Sequence, residues 1–251
     1  MNILLLRPHP GHDKFGLGPF FCVEPLGLEY IAAALLKENH QVTIADLRFR
    51  PGLATVLRRS RPRLVGISCL HTLEFEQVLA TARAVRRLAP EVFIIVGGHA
   101  AAAFSGPLED SAVDAVMVED GESLMPLLAG CLERGEPLEQ VPGLRLRRPD
   151  GWQSTPRLEE RPALDLVPLP ARDLVKQYRN GYHCLLFKPV WLIETARGCP
   201  HRCSFCSVWQ LYDRTCRERS IAAVVEDFAT SGDAVFVADD LFWYNPARSL
   251  E

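Results

Sequence analysis

Short, mostly apolar runs alternate with segments of helical periodicity over the first half of the chain. The runs expected to be strands are Ile3–Leu6, Gln41–Asp46, Leu64–Ser68, Val92–Val96 and Val113–Val118. Strands that are apolar on both sides, with helices between them, are typical of a parallel sheet covered on both faces. The alternation therefore predicts an α/β fold, in which residues 1–140 form a doubly wound, parallel, five-stranded sheet.

Three helices are predicted between these strands, at Leu26–Lys37, Leu73–Leu88 and Ser123–Arg134, and Gly135 is expected to end the last one. The ligands of doubly wound sheets bind beyond the carboxyl ends of the strands. We therefore expect the functional residues of this region in the loops that follow the strands.

The remainder of the chain is predicted to contain a connector and the start of a second domain. The connector, residues 141–188, has a strand–turn–strand pattern at Leu144–Thr155, and a proline-rich stretch after it argues against regular structure. Residues 189–251 alternate strand, helix and strand, at Val190–Thr195, Ser220–Thr230 and Ala234–Ala238.

Composition and charge exclude several classes of function. The net charge of −3 and a sequence pI of about 6.2 argue against a nucleic-acid-binding protein, which usually carries a basic patch. No apolar run reaches the ~18 residues that a membrane helix requires, so no transmembrane segment is expected. The eight cysteines do not form the dense framework of a small secreted domain. We therefore expect reduced thiols and a cytoplasmic location.

Cys199, Cys203 and Cys206 form the most informative group of residues in the sequence. Thiolates are soft ligands that suit iron–sulfur clusters or zinc, and the close spacing allows one loop to hold a single centre. No fourth cysteine follows at ferredoxin-like spacing, so a four-iron cluster would keep one iron open to a small molecule. The alternative is a zinc site completed by His201 or Cys216; Cys216 is otherwise expected to be an ordinary thiol.

This pattern resembles that of the radical S-adenosylmethionine (radical SAM) superfamily, because Phe205 precedes the third cysteine and an Arg-Gly-Cys-Pro sequence leads into the first. The resemblance implies that the three cysteines bind a 4Fe-4S cluster, with S-adenosylmethionine on the open iron. One electron from an external donor would cleave S-adenosylmethionine to methionine and a 5′-deoxyadenosyl radical. Phe205 would pack near the adenine.

Asp239 and Asp240 follow the last predicted strand, in a segment similar to the end of the second strand of radical SAM enzymes. The resemblance implies that these carboxylates lie near the amino group of S-adenosylmethionine or order the site. A solvated pair at the start of a helix is the alternative interpretation.

The first domain resembles the cobalamin-binding domain attached to one large class of radical SAM enzymes. Four matching pieces occur in order, at Pro25–Tyr30, Val65–Ser68, Val96–His99 and Glu119–Glu122. Glycines in these pieces would let the backbone approach a large macrocycle. Carboxylates in the last piece have a second explanation, since they are favoured near a helix N-terminus. The cobalamin-binding residues that the resemblance implies are Pro25, Gly27, Ser68, Gly97, Gly98, His99, Glu119 and Gly121.

Histidine placement separates this domain from other cobalamin-binding domains. The Asp-x-His-x-x-Gly sequence of methionine synthase-like and mutase-like domains is absent, and His12 does not stand in that pattern. His71 follows the third strand and is a candidate for the lower cobalt face, although a loop histidine is more often a polar cap. A dinucleotide is a further alternative ligand, but Gly16-Leu17-Gly18 lacks the third glycine of the dinucleotide fingerprint.

The two resemblances imply a cobalamin-dependent radical SAM enzyme that methylates an unactivated carbon of a small-molecule, lipid-type or tetrapyrrole-type substrate. The Ser207–Gln210 segment is similar to members that act on hopanoids or tetrapyrroles, whereas other relatives catalyse cyclisation or rearrangement. A complete (β/α)₈ barrel needs about 250 residues, so residues 189–251 are expected to form a partial, truncated barrel. A cobalamin-binding module that is inactive alone and a zinc-stabilised structural domain are the remaining alternatives.

Overall fold

The computed structural model describes residues 1–11 and 20–250, so Gly16-Leu17-Gly18 and His12 lie outside the described residues. No helix in the described ranges is both long and apolar enough to cross a membrane. The elements of the first region are β1 (Asn2–Arg7), β2 (Phe21–Cys22), α1 (Leu26–Lys37), β3 (Gln41–Asp46), α2 (Leu53–Ser60), β4 (Leu64–Ser68), α3 (Phe75–Leu88), β5 (Phe93–Gly97), α4 (His99–Ala103), β6 (Ala115–Met117) and α5 (Gly121–Arg134).

Five parallel strands form the centre of the first region, in the order β3-β1-β4-β5-β6. In this register Leu5 of β1 lies between Ile44 of β3 and Gly66 of β4. The strand order changes direction between β1 and β4, and this switch point is where doubly wound sheets place ligands. The doubly wound α/β fold with its parallel sheet is thereby confirmed.

The two faces of the sheet are covered by different helices because side chains alternate along each strand. Ile3 and Leu5 of β1 belong to the core that also contains residues of α1 and α5. Leu4 and Leu6 belong to the core on the other face, with residues of α2 and α3. The side chains of Ile3, Leu4, Leu5 and Leu6 are at most 1% exposed, which explains why the middle of the strand is apolar on both faces.

The hairpin expected in the connector forms, and it extends the sheet. Its strands are β7 (Leu144–Arg148) and β8 (Gly151–Ser154), and β7 pairs antiparallel with β6. The sheet therefore has seven strands rather than the five expected from the apolar runs. Leu144 and Leu146 are buried opposite Met117 and Ala115, so apolar burial attaches the hairpin to the edge of the sheet.

The second region is built from short elements around two parallel strands. Ser220 caps its longest helix, because the Ser220 hydroxyl accepts a hydrogen bond from the Ala223 N–H at 3.3 Å. The elements are β9 (His183–Cys184), β10 (Trp191–Ile193), β11 (Ala196–Arg197), α6 (Val208–Leu211), β12 (Arg217–Glu218), α7 (Ile221–Ala229), β13 (Val235–Val237) and α8 (Pro246–Leu250). β10 pairs in parallel with β13, β11 pairs antiparallel with β12, and β9 pairs antiparallel with β2.

A buried ionic network joins the start of α1 to the second region. The Glu24 carboxylate accepts a hydrogen bond from the Leu192 N–H at 2.6 Å and pairs with Arg179 at 2.5 Å. Arg172 donates to Asp227 of α7 at 2.6 Å. Because removing one partner of such a pair leaves a buried charge uncompensated, the network ties β10 and α7 to α1.

Glu29 lies on α1 beside this network and takes no part in it. Its side chain is fully buried, and within the described chain neither carboxylate oxygen has a hydrogen-bond partner. Burial, together with the neighbouring Glu24 carboxylate, raises the pKa of Glu29 well above its usual value. Glu29 is therefore a neutral acid whose two polar atoms are buried at a cost to the stability of the fold.

Replacing Glu29 with methionine should stabilise the protein by about 1–3 kcal/mol at neutral pH, because it removes two buried polar atoms without partners. The folded-state pKa is raised, so the pH-dependent part of the destabilisation by Glu29 is absent below the unfolded-state pKa of about 4.5 and grows as pH rises above it. The measurement is the free energy of unfolding of both proteins between pH 4 and pH 8, taken roughly at unit intervals.

Glu76→Met is the matched control, because Glu76 is exposed on α3 and its replacement should change stability little at any pH. A stability difference between Glu29→Met and the wild type that does not change with pH would contradict the buried, neutral state of Glu29.

Candidate functional site

The loops after β4 and β5 bring several predicted cobalamin-binding residues together at the carboxyl edge of the sheet. Ser68 at the end of β4 pairs in register with Gly97 at the end of β5. The Cys69 N–H donates to the Gly97 carbonyl at 2.7 Å, which continues the pairing past the strand. Gly98 and His99 follow directly and are exposed. The edge therefore presents these two residues where doubly wound sheets bind ligands.

Gly98 is a glycine because of its backbone conformation and its surroundings. Its φ of 113° lies in a region that other residues rarely adopt, and a Cβ there would lie 2.6 Å from the Cys69 carbonyl oxygen. The two loops therefore touch through backbone atoms. Burial raises the pKa of the Cys69 thiol to about 12, so the side chain beneath this contact is a neutral thiol.

His71, the candidate for the lower cobalt face, caps a short helical turn. Its Nδ1 accepts a hydrogen bond from the Leu73 N–H at 3.2 Å. This is the polar-cap alternative, and a contact between His71 and cobalt stays a prediction. Leu70 and Leu73, on either side of the cap, are 50% and 61% exposed. Exposed apolar surface of this kind is typical of ligand-binding sites.

Pro25 and Gly27 lie at the start of α1, with Pro25 buried and Gly27 exposed. Among the described residues, a Cβ added at Gly27 would meet no other atom within 4 Å. Because glycine weakens a helix by about 1 kcal/mol relative to alanine, internal packing gives no reason for a glycine here. The open space beside Gly27 fits a ligand that approaches the helix backbone closely.

Glu119 and Gly121 follow β6 and make contacts within the protein. Glu119 pairs with Arg161 at 3.1 Å, and burial raises the pKa of the Glu119 carboxyl against the opposing effect of Arg161. At Gly121, the first residue of α5, a Cβ would lie 2.8 Å from Cδ1 of Ile31, so this glycine allows α1 and α5 to pack closely. The roles of both residues in cobalamin binding stay predictions.

Arg197, which stands two residues before the first cysteine of the motif, is surrounded by three carboxylates. Its guanidinium lies 3.3 Å from Asp120, 2.7 Å from Glu122 and 2.7 Å from Glu194, and the side chain is only 9% exposed. Burial acts to lower the pKa of Arg197, but Glu122 and Glu194 outweigh it and raise the pKa well above its usual value. A charged guanidinium therefore connects α5 to the cysteine loop.

Two further contacts join the loops of the first region to the residues around the cysteines. Arg217 of β12 pairs with Asp120 at 2.5 Å, and the Tyr212 hydroxyl lies 2.9 Å from Nε2 of His99. The sequence interpretation missed both Arg217 and Tyr212. Neither stands in a short motif, and their partners are 97 and 113 residues away in the chain, so no local signal points to them.

Cys199, Cys203 and Cys206 lie in one loop between β11 and α6, and all three thiols are free. The Cys206 N–H donates to the Cys203 carbonyl at 3.1 Å, so the loop turns back between these cysteines. Phe205 is 91% exposed. In the part of the chain that the structure describes, no three His, Cys, Asp or Glu side chains are arranged to hold a metal ion. The cluster ligands and the adenine contact of Phe205 stay predictions.

Asp239 and Asp240 fix the backbone that leads into the cysteine loop. The Asp239 carboxylate accepts hydrogen bonds from the Thr195 N–H and hydroxyl, both at 2.6 Å, and from the Ala196 N–H at 3.1 Å. Asp240 accepts from the Gly198 N–H at 2.8 Å. The contacts of Asp239 agree with the interpretation that these carboxylates order the site, whereas Asp240 is exposed, as the alternative of a solvated pair expects. A contact with S-adenosylmethionine stays a prediction.

The chain is similar to known proteins over most of its length. Residues 19–129 match the family model described as the B12 binding domain. Hopanoid C-3 methylase of Methylococcus capsulatus is 33% identical over 241 residues, covering 92% of this chain and 45% of the relative. Cytidylyl-2-hydroxyethylphosphonate methyltransferase of Streptomyces wedmorensis is 27% identical, covering 90% of this chain and 51% of the relative. The chain thus spans about half the length of the curated relatives it matches.

Solved structures show the same fold. The radical S-adenosylmethionine methyltransferase TsrM of Kitasatospora setae, with cobalamin and a [4Fe-4S] cluster bound, superposes with a TM-score of 0.76 at 20% identity, covering 98% of this chain and 50% of TsrM. The cobalamin-dependent S-adenosylmethionine radical enzyme OxsB superposes with a TM-score of 0.73 at 18% identity, covering 98% of this chain and 35% of OxsB. At these identities the superpositions establish the fold of the chain.

Replacing Asp239 with alanine should lower the free energy of unfolding by about 2–4 kcal/mol, because three donors lose a charged acceptor. Amide exchange at Thr195 and Ala196 should rise at the same time, since both N–H groups donate to Asp239. Hydrogen exchange followed by mass spectrometry measures this second effect.

Asp233→Ala serves as the comparison, because Asp233 is an exposed aspartate of the same region and its replacement should leave both quantities unchanged. If exchange at Thr195 and Ala196 were equal in the two variants, Asp239 would not hold the lead-in to the cysteine loop.

Proposed function

We propose, from the premise that this chain belongs to the cobalamin-binding radical SAM enzymes, that it acts in the methylation of an unactivated carbon with cobalamin, a 4Fe-4S cluster and S-adenosylmethionine. One observation carries the proposal: Arg197 links the cysteine loop to the Asp120–Glu122 segment of the B12-binding sheet. The proposed sites for the two metal cofactors are thereby held on adjoining parts of one structure.

The carboxyl edge of the sheet fits a large macrocycle. Gly97 and Gly98 present backbone without a Cβ, and Leu70 and Leu73 supply apolar surface beside them. Gly27 leaves open space at the start of α1. These residues would hold cobalamin by close backbone approach and by apolar contact, which also excludes water from its surface.

The cysteine loop fits an iron–sulfur cluster by the chemistry of its donors. Cys199, Cys203 and Cys206 are free thiols on one exposed turn, and thiolates favour iron–sulfur clusters. Cys216 lies outside this loop, ten residues beyond Cys206 and after α6. We therefore assign three cysteine ligands rather than four.

The cofactors supply the difficult chemistry, a 5′-deoxyadenosyl radical and a transferable methyl group, and the protein supplies binding and orientation. In this chain Asp239 and Asp240 orient the lead-in to the cysteine loop, and Phe205 offers an exposed ring beside the third cysteine for the adenine. The single electron comes from an external donor. All eight cysteines are free, which suits the reducing environment of the cytoplasm.

The proposed substrate is an apolar polycyclic small molecule of the lipid or tetrapyrrole type. Support comes from the relatives, which include a hopanoid methylase and anaerobic magnesium-protoporphyrin IX monomethyl ester cyclases. Methylation is proposed over cyclisation because the methylase is 33% identical over 92% of the chain, against 26% over 82% for a cyclase of Synechocystis.

Replacing Cys199, Cys203 or Cys206 with alanine should abolish binding of the iron–sulfur cluster after anaerobic reconstitution, because each change removes one of three ligands. The readouts are iron and sulfide content and the EPR signal of the reduced cluster, with and without S-adenosylmethionine. Cys216→Ala is the control and should keep wild-type iron content. Bound zinc in place of iron, or equal iron loss in Cys216→Ala, would contradict the assignment.

Replacing Gly27 with leucine should weaken cobalamin retention by about tenfold or more, because the side chain fills the open space beside α1. Ala54→Leu is the matched control, since Ala54 is the exposed second residue of α2 as Gly27 is the second residue of α1. Equilibrium dialysis with hydroxocobalamin measures the affinity, and the melting temperature of the cofactor-free proteins checks folding. Equal affinities in the two variants would place cobalamin away from Gly27.

A further inference from the structure

Both strands of the β11–β12 ribbon contact one carboxylate at the start of α5, that of Asp120. Arg197 and Arg217 face each other in the antiparallel register. Both guanidinium groups reach Asp120, at 3.3 Å and 2.5 Å. Burial acts to raise the pKa of Asp120, but the two arginines outweigh it and lower the pKa. An ionised carboxylate of the sheet region therefore holds both strands of the ribbon.

Arg197 has a second partner on the same helix turn and a third partner on its own side. Glu122 of α5 and Glu194 of the strand lead-in both accept a hydrogen bond from the same Nη2 atom, at 2.7 Å each. Glu122 belongs to the B12-binding sheet region, whereas Glu194 precedes Arg197 by three residues. The contact with Glu122 thus joins the two regions, whereas the contact with Glu194 stays within one region.

Because Arg197 is close to Cys199 in the chain, the contacts of its guanidinium affect the position of the cysteine loop. Gly198, with a φ of 95° and a Cβ position only 2.3 Å from the Thr215 carbonyl oxygen, is the single residue between Arg197 and Cys199. Gly198 is also held by Asp240 through its N–H. With so little freedom in the intervening residue, the position of Arg197 determines where Cys199 begins the loop.

We propose that Arg197 is a positioning residue whose contacts with Asp120 and Glu122 set the separation between the cluster and the corrin. The inference rests on the proposed function, because it takes the cysteine loop and the sheet edge as the two cofactor sites. A shared buried ion group suits this task, since a buried pair is lost if its partners shift. Glu122 is the cross-region partner in this scheme, and Glu194 only supports Arg197 locally.

Glu122→Gln and Glu194→Gln form a matched pair for the test. Both carboxylates accept a hydrogen bond from Nη2 at 2.7 Å, Glu194 also accepts one from Nε at 3.0 Å, and each variant keeps an amide oxygen that can accept a hydrogen bond. The full chain is reconstituted with iron, sulfide and hydroxocobalamin, and reduced so that cob(II)alamin and the cluster are both paramagnetic. Pulsed EPR then measures the distance distribution between the two spins.

The expected result is a shifted or broadened spin–spin distance in Glu122→Gln at wild-type cofactor content, and the wild-type distribution in Glu194→Gln. A wild-type distribution in Glu122→Gln would overturn the proposal, as would equal changes in both variants. Loss of the cluster or of cobalamin from the wild-type chain would instead contradict the proposed function.

A second measurement tests the positioning role without either cofactor. Hydrogen exchange of the Ala196–Cys199 segment in the cofactor-free chain should be about tenfold faster in Glu122→Gln than in Glu194→Gln, since only the former loses a charged contact between the regions. Equal exchange rates in the two variants would show that the contact across the regions does not hold the segment, and would overturn the proposal on its own.

Discussion

The guanidinium of Arg197 is a buried cation that joins the two regions of this protein beside the cysteine loop. It contacts three carboxylates, of which Asp120 is the N-cap residue of α5, Glu122 lies in α5 and Glu194 belongs to its own lead-in. Burying four charges together adds little net stability over apolar packing, because desolvation opposes the attraction. The same desolvation makes any other arrangement unfavourable, since a displaced partner would leave a buried charge uncompensated. The network therefore specifies geometry more than it contributes stability.

Around this cation the backbone before the cysteines is fixed, while the cysteines themselves are half-buried or exposed. Asp239 and Asp240 bind the residues on both sides of Arg197. Cys203 and Phe205, a few residues on, are exposed. A site that must receive a cofactor and a substrate needs a rigid frame and accessible ligands. Here the hydrogen bonds of Asp239 and Asp240 form the rigid frame, and the turn that contains Cys203 and Phe205 is the accessible part.

Local sequence patterns predicted the elements that depend on local physics. The apolar runs predicted the five parallel strands, and the cysteine spacing identified the loop that contains the candidate ligands. The attachment of β7 to β6, and the short helices α2 and α4, were missed, because pairing partners and short helices leave little local signal. Arg217 and Tyr212 were missed for the same reason, since their partners lie far away in the chain. Glu29 stood in a matching piece, but no local signal indicates that its carboxyl is buried with no hydrogen-bond partner among the described residues.

The segment after β6 shows why its acidic residues occur together. Carboxylates at a helix N-terminus are favoured by the helix dipole, and this was the local explanation for them. Asp120 is the N-cap residue of α5, yet its side chain caps no backbone N–H. It binds Arg197 and Arg217, while Glu122 binds Arg197 and Glu119 binds Arg161. The dipole thus stabilises charges whose direct partners lie in the connector and in the second region. The same segment therefore links the B12-binding sheet to the strand that precedes the cysteine loop.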